Sequence, residues 1–161
     1  MTATAGVWAA TGTWALLGMH ASWTDLRHAV IGRRACWTAG IVIAAALGAT
    51  ALALGDPGRY LRTLISAAAV LAATEVLYRL RPDAMGYGDI RLIIVNSLLL
   101  SWWGAAWPWW ALAAGTVAAW PQAAVTAIRH GRHAEVRCAP ALAIGAALVL
   151  GTRLATVGPI P

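Results

Sequence analysis

Residues 37–55 read Trp37-Thr38-Ala39-Gly40-Ile41-Val42-Ile43-Ala44-Ala45-Ala46-Leu47-Gly48-Ala49-Thr50-Ala51-Leu52-Ala53-Leu54-Gly55, with no charged side chain. A run of about 20 apolar residues matches the thickness of a bilayer's hydrocarbon core when it is helical. Helix is also the economical way for such a run to satisfy its backbone amides away from water. Five more Ala/Leu/Val/Ile-rich runs lie near 5–22, 62–79, 91–106, 109–128 and 139–157. A transmembrane barrel would need alternating strands of about ten residues, and none is present. The expectation is an all-α polytopic membrane protein with about six transmembrane helices, forming a single transmembrane domain over residues 1–161. Small residues in every run favour close helix contacts. The first run lacks a basic leader and a cleavage site, so it reads as a retained span.

Composition agrees. Of 161 residues, 60% are hydrophobic and only 11% charged, and mean hydropathy is +0.68. Such a chain cannot cover itself with polar groups in water, which excludes an ordinary soluble enzyme, a disordered tail and a DNA-binding module. The net charge of +6 comes from arginine alone, since lysine is absent. A pI near 10.7 would suggest nucleic acid in a soluble protein. Here it reports basic loops, and the expected partner is the lipid bilayer, with no nucleic acid. Arg27, Arg33, Arg34, Arg79, Arg81, Arg91, Arg129, Arg132 and Arg137 flank loops one, three and five, whereas the other side has Arg59, Arg62 and Arg153. That asymmetry puts loops one, three and five in the cytoplasm and both termini outside. Trp102, Trp103, Trp107, Trp109 and Trp110 fit an aromatic belt around the outer turn after the fourth run.

The chain has only six acids, so each can be weighed. Asp56 and Asp83 adjoin prolines in turns and read as solvated. Glu135 balances a basic loop. Glu75 lies inside the third run, where an acid is a functional candidate, but Arg79 stands four residues on and pairing explains it. Asp25, just past the first run, and Asp89, just before the fourth, are separated by two complete spans and therefore face one side. Singly, Asp25 could be a counter-ion for Arg27, and Asp89 an N-cap accepting free amides. Together they suggest hydrolysis, because two neighbouring carboxyls share one proton, leaving a base and an acid. Gly86 and Gly88 would permit positive φ and close backbone approach.

The segment Met85-Gly86-Tyr87-Gly88-Asp89-Ile90-Arg91-Leu92 resembles the GxGDxKL motif of type IV prepilin peptidases, a family of GxGD membrane aspartyl peptidases. Asp25-Leu26-Arg27-His28-Ala29-Val30-Ile31 resembles their first aspartate segment. Pro140-Ala141-Leu142-Ala143-Ile144-Gly145 is similar to their C-terminal Pro-x-Leu-Ala-x-Gly segment. The resemblance covers nearly the whole chain. It implies a membrane aspartic endopeptidase of the bacterial inner (cytoplasmic) membrane that removes basic leaders from prepilin-like substrates. Asp25 and Asp89 would be catalytic, and Gly86, Gly88, Arg91, Ile31 and Pro140 would support the substrate site. No metal or other cofactor is expected. The family serves pili, protein secretion and DNA uptake alike. Signal peptide peptidase and presenilin fit less well, since they place the first aspartate after tyrosine, deep in a span.

Three departures stand out. Gly32-Arg33 replaces Pro-Asn, Arg91 replaces lysine with a different donor geometry, and Arg137-Cys138 replaces Pro-Phe. Both aspartates survive them. Larger members also carry a four-cysteine zinc site and a methylating activity. Cys36 and Cys138 have no metal-ligand spacing and read as small apolar residues at helix ends. His28 reads as interfacial, His20 as a buried polar group, and Pro121 and Pro140 as bends within spans. The alternatives are a small transporter using Glu75, Arg79 and His20 as a pathway, or a catalytically silent relative that assists pilin assembly.

Overall fold

A computed structural model of the chain describes residues 3–80, 86–130 and 137–158. Arg81, Asp83, Met85, Arg132 and Glu135 lie outside the described residues. Each apolar run is a helix: α1 (Ala3–His28), α2 (Arg33–Ala53), α3 (Pro57–Leu80), α4 (Tyr87–Leu100), α5 (Trp107–His130) and α6 (Ala139–Val157). A single 3-10 turn, Ser101–Trp103, extends α4. No strand occurs among the described residues.

The expected number of spans needs correction. Four helices, α2, α3, α5 and α6, are long and apolar enough to cross a membrane. The exceptions are α1 and α4. α1 is long, but Thr4, Thr11, Thr13, His20, Ser22 and Thr24 dilute its apolar character. α4 has 14 residues, or about 21 Å at 1.5 Å per residue, short of a roughly 30 Å hydrocarbon core. Its surroundings explain its length. α4 touches all five other helices, which follow one another around it in the order α1, α2, α3, α5, α6 and back to α1. Ile90, Leu92, Ile93, Val95, Leu98, Leu99 and Leu100 are buried on all sides of α4. A helix apolar all round belongs in a core, away from the lipid boundary.

Several polar groups inside this bundle satisfy one another across helices, which a medium without water favours. The Trp14 indole N–H donates to Asn96 Oδ1 at 2.7 Å, tying α1 to α4. Ser101 Oγ donates to Ser66 Oγ at 3.1 Å, tying the 3-10 turn to α3. The Trp103 indole N–H donates to the Gly158 carbonyl at 3.2 Å, tying the same turn to the end of α6. α5 and α6 meet at Gly115 and Gly145, where a Cβ on Gly145 would fall within 2.9 Å of the Ala111 carbonyl oxygen. That close approach is the physical reason for glycine at the end of the Pro140–Gly145 segment.

Several single-residue expectations change. Pro140 occupies the first turn of α6, where a missing N–H costs nothing; it does not bend a span. Pro121 is interior to α5, as expected. His20 is exposed on the outer surface of α1 and so is not buried by the protein. Asp56 is more than a solvated turn acid. It accepts the Arg59 backbone N–H at 2.9 Å, which caps α3, and it pairs with the Arg59 and Arg62 guanidiniums. Glu75 does pair with Arg79, Nε to Oε1 at 3.3 Å, and Arg79 faces outward. Neither Arg79 nor His20 lines an interior pathway.

Candidate active site

The end of the bundle where α1, α3 and α5 finish and α2, α4 and α6 begin collects the resemblance residues. Asp25 stands in the last turn of α1 and Asp89 in the first turn of α4. Both are buried, at 7% and 8% exposure. Two buried acids in a chain with few acids need a local account of what holds them.

Asp25 is held by α6. Its Oδ2 accepts the Ala139 backbone N–H at 3.2 Å. Ala139 is the first residue of α6, so the carboxyl faces a helix N-terminus, whose unpaired amides favour negative charge. The chain then leaves α1 through Ala29 at φ 53°, a left-handed conformation that costs a non-glycine residue about 1 kcal/mol. Beyond that reversal Ile31 is buried against the start of α4.

Asp89 is held by its own helix start. Gly86, in extended conformation at φ −70° and ψ 146°, is the N-cap of α4. Asp89 is therefore the third residue of the helix, and the N-cap reading of it is overturned. Its carboxyl reaches back to the Gly86 backbone N–H, the return half of a capping box. Neither Gly86 nor Gly88 has positive φ, so the expected reason for these glycines is also replaced. The reason for Gly88 is space: a Cβ there would stand 3.1 Å from Ile31 Cβ. Gly88 thus lets the two aspartate segments close on each other. Tyr87 packs edge-on against Tyr78 of α3, ring centroids 5.4 Å apart, and carries the Arg91 guanidinium 4.9 Å from its centroid.

The two carboxyls lie within electrostatic reach. Burial, and after it the charge of Asp25, pushes the Asp89 carboxyl up from 3.8 to about 6, against the lowering effect of the Gly86 amide. Cys138, next to Ala139, reads in the sequence as a plain apolar residue, yet it lies in the same corner. Its thiol is pushed up to about 11 by burial, then by the charges of Asp89 and Asp25. Neither aspartate has an ion-pair partner among the described residues. Beside Asp25, an open apolar groove runs between α1 and α6, lined by Ser22, Trp23, Leu26 and Pro140 among others. Trp14 and Asn96, which brace the two aspartate helices, escaped the sequence reading. The available signal was an asparagine in the middle of an apolar run.

Two buried carboxyls within electrostatic reach, with no ion-pair partner among the described residues, can take a proton and give one at the same place. The family model of the type IV leader peptidases matches residues 12–151, from α1 through α6, and takes in both aspartates, Gly86, Gly88 and Pro140. No curated protein and no solved structure matches the chain.

Proposed function

The chain belongs to the type IV leader peptidase family, and from that premise we propose that it is an aspartic endopeptidase of the bacterial inner membrane. Its substrate is a prepilin-like protein, cleaved at the cytoplasmic face, and Asp25 and Asp89 are the catalytic pair. The observation that carries the reading is the elevated carboxyl of Asp89 beside Asp25, with both acids held by backbone amides.

The division of labour follows from the two environments. Asp25, at the N-terminus of α6, acts as the carboxylate base. Asp89, raised to about 6 by burial and then by its neighbour, acts as the acid through its protonated fraction. Water attacks the scissile carbonyl carbon and loses a proton to Asp25, while Asp89 protonates the carbonyl oxygen. The resulting gem-diol collapses: the C–N bond breaks, Asp25 returns its proton to the leaving amine, and Asp89 recovers a proton from a diol hydroxyl. Positioned acid–base catalysis of this kind contributes roughly 10²–10⁴-fold. The apolar helix that follows a prepilin leader docks from the bilayer. The groove of Trp23, Leu26 and Pro140 beside Asp25 suits it. Seven described arginines crowd the aspartate end, Arg27, Arg33, Arg34, Arg79, Arg91, Arg129 and Arg137, which supports a cytoplasmic orientation.

The test is co-expression with a prepilin from the same genome and a gel that separates precursor from mature pilin. Asp25→Asn and Asp89→Asn are each expected to leave the precursor uncut. Normal maturation in either variant sinks the assignment.

A further inference from the structure

The groove between α1 and α6 has a volume of about 530 Å³. On α1 its wall includes Ala15, Gly18, Ser22 and Leu26, which recur at steps of three and four and so share one helix face. On α6 the wall includes Ala143 and Ala147. From Ala15 to Leu26 this face spans roughly 16 Å, or about three helical turns. A Cβ on Gly18 would stand 3.7 Å from Ala143 Cβ, so the two helices nearly meet at the floor. Small residues there let a further backbone approach closely.

One end of the groove is the aspartate site. Leu26 follows Asp25 in sequence. Pro140, also in the wall, follows Ala139, whose N–H donates to Asp25 Oδ2. The groove also carries a hydroxyl that its own helix does not use. Thr13 and Thr24 donate to the Ala9 and Ala21 carbonyls of α1. Ser22, half-buried between them, has no hydrogen-bond partner among the described residues. An acyl chain in the groove offers that hydroxyl nothing. A polypeptide does, because a peptide bond inside a helix must be opened before it can be cut. Opening frees amide and carbonyl groups that a bilayer cannot satisfy. Ser22 stands one turn before Asp25 on the groove face, and its hydroxyl can donate or accept.

We propose, resting on the peptidase reading, that this groove seats about the first three turns of the substrate's apolar helix, and that Ser22 bonds a backbone group of the substrate where that helix opens at the scissile bond. Beyond Ala15 the substrate helix leaves the groove. The enzyme then reads only the part of the apolar segment nearest the cleavage site.

The test uses the full chain in membranes with a prepilin from the same genome. A photo-crosslinking residue replaces Met19, which lines the groove and is 63% exposed, or Ile41 on α2, which is 65% exposed and outside it. In the Asp89→Asn background the first is expected to capture the prepilin and the second is not. Kinetics of the active chain supply the second reading. Ala147→Leu adds bulk at an exposed groove position and should raise KM roughly tenfold with kcat unchanged, the mark of lost ground-state binding. Gly12→Leu puts the same bulk where a Cβ meets nothing within 4 Å and should change neither constant. Ser22→Ala should lower kcat roughly fivefold, the value of one neutral hydrogen bond, at unchanged KM and thermal midpoint, and Ser22→Thr should recover most of it.

Wild-type cleavage without capture at Met19 overturns the groove and leaves the peptidase reading standing, as does capture of lipid alone. Capture at Met19 by a wild-type chain that does not cut supports the groove and defeats the peptidase reading. Absence of both defeats both. Unchanged KM in Ala147→Leu overturns the seat, and unchanged kcat in Ser22→Ala overturns the role of the hydroxyl.

Discussion

The two ends of the bundle hold their charges by opposite means. At one end Asp25 and Asp89 are fixed by the backbone amides of Ala139 and Gly86, with no ion-pair partner among the described residues. At the other, Arg59 and Arg62 are tied to Asp56, while Arg59 and Arg153 lie against the rings of Trp102 and Trp107. The difference is chemical. Asp56 faces two full positive charges besides one backbone amide. Asp89 has a backbone amide but no cation beside it among the described residues, and there burial and the neighbouring acid outweigh the amide's lowering effect. The first arrangement suits permanent anchoring, the second proton transfer.

The sharpest way to break the contrast is to remove an acid. Asp25→Asn and Asp89→Asn should each lower cleavage by at least a factor of about 10³, within the span attributed to positioned acid–base groups. The precursor-to-mature ratio reads this directly. The next largest effect should come from importing the logic of the arginine end. Cys138→Arg sets a cation in the corner it shares with both carboxyls. Cleavage should fall roughly a hundredfold as Asp89 loses its elevated pKa. Cys138→Ser should stay near wild type, which separates charge from loss of the thiol.

A steric probe comes third. Gly88→Ala puts a Cβ at 3.1 Å from Ile31, and overpacking of this kind costs about 1–3 kcal/mol. Thermal unfolding should show the loss, and Ile31→Ala in the same chain should recover part of it.

A pH series is the fourth test. With the Asp89 carboxyl raised to about 6, its protonated fraction falls as pH rises through that value. Cleavage should show a descending limb at or above it, as a property of the coupled pair. The stability sign is fixed too. The folded state binds this proton more tightly than the unfolded chain, so the contribution is complete below pH 3.8 and lost as pH rises through about 6. Asp89→Asn should flatten that part of the stability curve. The smallest effect should be at the brace. Asn96→Leu strands the Trp14 indole N–H, and hydrogen bonds between membrane helices are worth about 0.6–1.7 kcal/mol. A thermal midpoint unchanged by Asn96→Leu would show that the brace does not hold α1 to α4.

Much of the site is legible in the chain because its signals are local. Asp25, Asp89, Ile31, Gly86 and Gly88 are found by motif and spacing, and the structure brings Ile31 onto Gly88. What escapes is whatever depends on a remote neighbour. Cys138 reads as inert until α6 carries it to the aspartates. His20 reads as buried because hydropathy cannot tell a core from a lipid-facing surface. Asp89 reads as an N-cap because the helix start at Tyr87 depends on how Gly86 meets the next turn.

By itself the sequence settles that this is an all-α membrane protein, where its helices lie, and that two scarce acids share one side. Hydropathy and the scarcity of acids are properties of the chain, visible before any folding. Only the tertiary structure decides that the short α4 is the central post, that Gly88 serves close packing, and that Asp25 is held by an amide 114 residues away. Those facts are contacts between distant segments, and no local pattern encodes which helix N-terminus will face which carboxyl.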